Sequence, residues 1–172
     1  MKSKAGFSLL EILVAIAILS TIAVLGHTEY LGYFERAKVS EALDVLESYQ
    51  ALAMQYRARN GTIDPYYVLF SSTDTAGLLT GSPGGTSASK TMTLKNITKL
   101  VAIKGTSGGN TYLLLGAKLV DDSVILSGAD FVYLGLVETP AGVVTWTCGQ
   151  STGQANNVPV AYMPKTCINT LP

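Results

Sequence analysis

Residues 7–25 form a nearly unbroken apolar run that carries a single charge, Glu11. A helix of about 19 such residues crosses the roughly 30 Å hydrocarbon core of a bilayer. Beyond it the pattern turns from wholly apolar to periodic. Ala42, Val45, Leu46, Tyr49, Ala53 and Tyr56 recur at three- and four-residue spacing on one helical face. Asp44 and Glu47 fall on the opposite side, and Glu41 and Arg57 flank the stripe. No proline precedes Pro65, and no glycine occurs between Glu35 and Arg59, where Ala, Leu, Glu and Arg favour helix. Asn60-Gly61 supplies a stop and Asp64-Pro65 a boundary. The pattern predicts one helix from about Ser8 to about Arg59, on the order of 75–80 Å long. Its first half has no polar face and no globule to pack on. Its second half, from about Tyr30, carries a stripe to be buried under a head domain.

After Gly61 the helical period disappears. Residues 61–92 are rich in Gly, Ser, Thr and Asp, with SPGG at 82–85, and read as a long loop region in which Tyr66–Phe70 is a short strand or turn packed on the helix. Four short apolar runs follow: Ile97–Ile103, Tyr112–Val120, Phe131–Val137 and Val143–Thr147. They are separated by GTSGGN at 105–110, by a connector at 121–130 with a few extended residues around Val124–Leu126, and by Thr139-Pro140-Ala141-Gly142. A helix followed by a run of strands predicts an α+β fold, with the long N-terminal helix packed on an antiparallel sheet of about four strands. The strands are too apolar to leave both faces wet.

The chain has 172 residues, enough for one domain with a real core, and its formal net charge is zero, which points to neither nucleic acid nor an acidic partner. The mean hydropathy of +0.32 is high, and much of the excess sits in the N-terminal run. Two cysteines, Cys148 and Cys167, lie near the C-terminus. In an exported chain such a pair is a disulfide; in a cytosolic one it is more often two free thiols.

Ahead of the apolar run stands Met-Lys-Ser-Lys-Ala-Gly. Lys2 and Lys4 hold the start of the chain on the cytoplasmic side. A secretory signal peptide fits poorly, because the apolar run passes through Ser20 and Gly26 into a continuing helical pattern without a clear break. A simple signal anchor leaves Glu11 unexplained, since a lone carboxylate in a bilayer costs about 3 kcal/mol and marks a functional residue. GFSLLEILVAIAIL, residues 6–19, resembles the class III signal of type IV pilins and pseudopilins. That resemblance implies processing by a prepilin peptidase between Gly6 and Phe7, and N-methylation of Phe7. It also implies that Glu11 pairs with the cationic Phe7 amine of a neighbouring subunit during assembly. A buried carboxylate is tolerable when a positive partner neutralises it. ERAKVSEAL at 35–43 is similar to the stretch that follows the membrane segment in type IVa pilins, whereas Thr28 and Ser20 stand where many of those have a proline and a glycine.

TWTCG at 145–149 and AYMPKTC at 161–167 resemble the disulfide-bounded region of type IVa pilins. The resemblance implies a Cys148–Cys167 bridge, which would close a loop of about 20 residues worth roughly 3 kcal/mol. In the family this loop often mediates adhesion or subunit contacts; a staple alone is an equal reading for this chain.

The resemblance divides the chain into a leader at 1–6, a helix at 7–60 with a transmembrane and polymerisation segment at 7–26, and a head at 61–172. It implies a non-enzymatic subunit of a type IV pilus, polymerising with copies of itself and served by the prepilin peptidase and methyltransferase and by the assembly machinery of the inner membrane. The precursor sits in that membrane, and the product is an extracellular filament for adhesion, twitching motility or DNA uptake. Two other readings are a minor or tip pilin that grips DNA or a surface, and a type II secretion pseudopilin. DNA binding asks for clustered basic residues. Lys90, Lys95, Lys99, Lys104, Lys118 and Lys165 are mostly scattered, with Lys95, Lys99 and Lys104 as one local strip.

No catalytic site, cofactor or metal site emerges. Gly105–Gly109 matches G-x-S-x-G, but the only histidine is His27, at the membrane boundary, so the motif reads as a turn. GGTSASKT at 84–91 has Ser89 where a phosphate loop needs glycine. Asp121, Asp122 and Asp130 lack the spacing of a calcium loop. Asn96-Ile97-Thr98 is a glycosylation sequon by pattern only.

Overall fold

The computed structural model describes residues 8–61, 63, 87–91, 94–120, 126, 128, 131–154 and 156–171. The chain divides into two compact units, Met1–Phe34 and Glu35–Pro172. Helix α1, Leu9–Asn60, contributes to both.

In the first unit the described residues from Ser8 to His27 are all exposed. The Ser8 carbonyl accepts the first helical bonds, from the Glu11 and Ile12 amides at 3.0 and 3.3 Å. Two hydroxyls of the apolar run, those of Ser20 and Thr21, are satisfied by the helix itself. Ser20 Oγ donates to the Ile16 carbonyl at 2.7 Å and Thr21 Oγ1 to the Ile18 carbonyl at 2.8 Å. Such back-bonding lets polar side chains sit in an apolar medium without a stranded donor.

In the second unit the helix from Glu35 to Asn60 buries Val39, Ala42, Leu43, Leu46 and Ala53, with Val45, Tyr49 and Met54 half-buried beside them. The three- and four-residue period therefore marks the core face. Leu31 and Gly32 are half-buried and full burial begins at Glu35, while Tyr30 itself is 66% exposed. The helix ends as the sequence predicts: Gly61 N donates to the Arg57 carbonyl at 2.7 Å, and Asn60 Nδ2 to the Tyr56 carbonyl at 2.9 Å.

Among the described residues the sheet has six strands in sequential order: β1 Ser87–Thr91, β2 Ile97–Ser107, β3 Asn110–Leu119, β4 Phe131–Glu138, β5 Val144–Ser151 and β6 Asn169–Leu171. The first five pair antiparallel; β6 runs parallel to β5. β2 to β5 are the four apolar runs. β1 and β6 are additions, because SASKT and NTL carry no apolar period and gain strand form only from their neighbours. The β2–β3 connection is two residues, Gly108-Gly109, with φ of 59° and 82°; a tight hairpin needs positive φ at both positions. The segment at 66–70, most of the 121–130 connector and residues 1–7 lie outside the described residues.

Both sheet faces are packed. Leu100, Ala102, Leu113, Leu115, Ala117, Val132, Leu134 and Leu136 join the helix stripe in the main core. Leu114, Tyr133 and Leu171 form a second cluster on the other face, with Val101, Ile103, Tyr112 and Phe131 half-buried around them. Phe131 stacks on Tyr133 with ring centroids 5.7 Å apart. Burial pushes the Tyr133 phenol up to about 12. The sign follows from the unfolded chain, whose tyrosine titrates near 10: the stability this buried phenol contributes is full below pH 10 and is lost as pH rises through 10 toward 12. The unfolding midpoint of the native chain should therefore fall relative to that of Tyr133→Phe across this alkaline window. Their difference should stay constant at lower pH, as read by denaturant titrations at stepped pH.

Candidate functional site

Two regions carry the residues singled out by sequence: the apolar segment around Glu11, and the cysteine-bounded C-terminus. Glu11 lies in the first turn of α1, three residues past Ser8, with only apolar side chains following it as far as Leu19. It is exposed and has no ion-pair partner among the described residues. A carboxylate so placed is unsatisfied in any apolar surrounding until a cation reaches it. Gly6 and Phe7 lie outside the described residues. Helix α1 contains an 18-residue stretch with the length and hydropathy of a membrane span, none of it buried within the chain.

The C-terminal region is tightly organised. Cys148 on β5 is bonded to Cys167, with Cα atoms 4.5 Å apart. Cys167 is buried and its amide bonds the Pro164 carbonyl at 2.8 Å. Between the cysteines, Asn157 accepts from the Ser151 amide at 2.9 Å and donates to the Ser151 and Gln154 carbonyls at 3.0 and 2.9 Å. Phe131 and Val158 exchange backbone bonds with this segment: Phe131 N donates to the Asn156 carbonyl and Val158 N to the Phe131 carbonyl, each at 2.9 Å. Val158 and Met163 enter the main core. Arg36 Nε donates to the Ala161 carbonyl at 3.3 Å, beside the 3-10 turn Val160–Tyr162. The disulfide therefore fastens a packed flap. Gly149 is indispensable to it: a Cβ there would stand 1.8 Å from the Asn169 carbonyl oxygen, where β6 crosses.

Two charged features escaped sequence reasoning. Glu35 and Lys38 form an ion pair of 3.6 Å at the start of the second unit, with side chains only 4% and 3% exposed. Glu35 Oε2 has no hydrogen-bond partner. Their i, i+3 spacing is visible in the sequence, but their burial is not. At the other end, Arg57 Nε donates to Glu138 Oε1 at 2.8 Å and its Nη2 to the Gly142 carbonyl at 2.7 Å, tying the last helical turn to the β4–β5 corner. Both side chains are partly buried, so Arg57→Ala should cost about 1–2 kcal/mol, after allowing for solvent screening. Chemical denaturation would show this as a lowered midpoint at unchanged slope.

The remaining motifs resolve into structure. Gly105–Gly109 is strand and hairpin. Asn96 Nδ2 is bonded to Glu41, so the sequon amide is engaged with the helix. Lys99 and Lys104 fall on opposite faces of β2, since Leu100 and Ala102 belong to one cluster and Val101 and Ile103 to the other. Lys99 instead pairs across to Lys118. The basic strip read from the sequence does not form. Among the described residues no group of three metal-ligating side chains occurs. Asp121, Asp122 and Asp130 lie outside the described residues.

Comparison with known proteins gives two family matches. The prokaryotic N-terminal methylation motif matches residues 1–26. The family described as pilin (bacterial filament) matches residues 35–168, well over half the chain. No curated protein and no solved structure matches the chain. With an apolar N-terminal helix, an α+β head, a disulfide-fastened C-terminus and both matches in one chain, the protein belongs to the pilin family and is a type IV pilin with a class III prepilin signal.

Proposed function

We propose that this chain is a type IVa-type pilus subunit that is cut between Gly6 and Phe7, methylated on Phe7 and polymerised through its apolar helix. The division into leader 1–6, polymerisation segment 7–26, remaining helix to residue 60 and head 61–172 belongs to the same reading. The observation that carries it is Glu11: one carboxylate, exposed on an otherwise apolar segment, within the matched methylation motif. A free Phe7 amine on a second copy is a cation of the right charge and depth. Pairing the two while the apolar helices pack against each other satisfies both ions and removes the apolar run from lipid. The prepilin peptidase and methyltransferase, and the inner-membrane assembly machinery, are the partners this requires. The filament is the extracellular product. Adhesion, twitching motility or DNA uptake are then properties of the assembled fibre and its motor. The scattered head lysines give no support to direct DNA binding by this subunit.

Mass spectrometry of sheared surface filaments tests the proposal. An abundant chain beginning at methylated Phe7, with Cys148 and Cys167 linked, is the expected result. An intact Met1 on the mature protein would remove the processing role. A chain confined to the inner membrane or present in trace would make it a pseudopilin or minor pilin.

A further inference from the structure

No Phe, Trp or Tyr occurs between Phe7 and Tyr30. Aromatic residues therefore bracket the apolar run and avoid its interior. Tyr30 and Tyr33 lie in the first unit, three residues apart and hence on one helical face. They are 66% and 72% exposed, more open than many lipid-type side chains of the run itself. That exposure excludes a packed-core role for the two rings, even though Leu31 and Gly32 between them are half-buried.

Their axial position is informative. Gly26 is the last residue before the polar run His27, Thr28 and Glu29. Tyr30 and Tyr33 lie about 6 and 10 Å further along the helix axis. The polar layer of a bilayer is roughly 5–8 Å thick on each side of the hydrocarbon. Helical side chains lean toward the N-terminus, so both rings reach back toward the apolar run. A tyrosine there offers an apolar ring to the acyl boundary and a hydroxyl to headgroups and water.

We propose that Tyr30 and Tyr33 form an interfacial anchor, seated in the lipid headgroup layer on the side opposite Lys2 and Lys4, that sets the depth at which the unassembled subunit holds Glu11. The inference rests on the reading of residues 7–26 as a membrane span. The anchor acts against sliding along the membrane normal: moving it inward strands two phenol hydroxyls, and moving it outward pulls apolar residues into water. Glu11 is thereby held at a fixed level, about 28 Å from Tyr30 along the axis, where the amine of an incoming copy can meet it.

Fluorescence depth measurement tests this on the full chain in phosphatidylcholine–phosphatidylglycerol vesicles. Trp146 is the only tryptophan, and its buried indole N–H has no hydrogen-bond partner, so Trp146→Phe gives up no hydrogen bond and supplies a dark background. In that background Tyr33→Trp should be quenched at least about twofold more by lipid brominated near the headgroup than near the chain end. Leu19→Trp, about 15 Å from Leu9 and near the middle of the span, should show the reverse order. Leu19→Trp quenched but Tyr33→Trp unquenched would overturn the anchor while leaving the span intact. An unquenched Tyr33→Trp emission that shifts to the blue as protein is added would assign the stripe to a second copy, and also overturn it. Leu19→Trp unquenched by either lipid would remove the membrane span itself.

Discussion

Glu11→Ala is expected to be cleaved and methylated normally yet to lower filament yield at least about tenfold, because each added subunit would bury a Phe7 amine with no counter-charge, at a cost of about 3–5 kcal/mol. The same substitution makes the segment more apolar, so membrane insertion should improve or stay the same. Loss of filaments with a full membrane pool of processed subunit separates an assembly defect from a failure of insertion or folding. Glu11→Gln keeps the shape and removes the charge, and should assemble nearly as poorly. Glu11→Asp keeps the charge on a shorter arm and should fall between. The comparison is made by quantifying sheared filament against cell-associated protein, with the N-terminus of each pool identified by mass. Wild-type yield from Glu11→Ala would show that apolar packing alone drives addition, and that the carboxylate has another role.

The second large effect is expected at the disulfide. Cys148 and Cys167 are 19 residues apart, and opening their loop should destabilise the head by about 3 kcal/mol through restored freedom of the unfolded chain. For a domain of this size that is a fall of about 10 °C in unfolding temperature. Cys148→Ser/Cys167→Ser in detergent micelles and reductant on the native chain should give the same shift. The flap has other fastenings, in the Asn157 bonds and in Val158 and Met163 in the core, so the reduced head should still fold. A loss below about 1 kcal/mol would show that this packing restrains the chain even without the bond.

The parts of the fold legible in the sequence share a property: their signal is local. The run from Leu9 to Leu25 needs only its own composition, and the stripe at Ala42, Leu46 and Ala53 only its own period. The four apolar strands and the glycine pair at 108–109 are likewise readable residue by residue. The lysine strip shows where a local reading overreached. Proximity in sequence put Lys99 and Lys104 together, while strand alternation puts an odd spacing on opposite faces.

By itself, then, the sequence determined the class of molecule, its α+β order, the position of Glu11 and, with two cysteines only, the one intrachain pairing open to it. The tertiary structure alone decided that β1 and β6 exist, that Gly149 must yield space to the Asn169 backbone, that Arg57 reaches Glu138 across 81 residues, and that Glu35 and Lys38 are shut away from water. These depend on which distant segments meet. A polar strand acquires its hydrogen bonds from a neighbour, and a charge acquires its burial from whatever packs over it. Neither leaves a periodic trace in the chain that carries it.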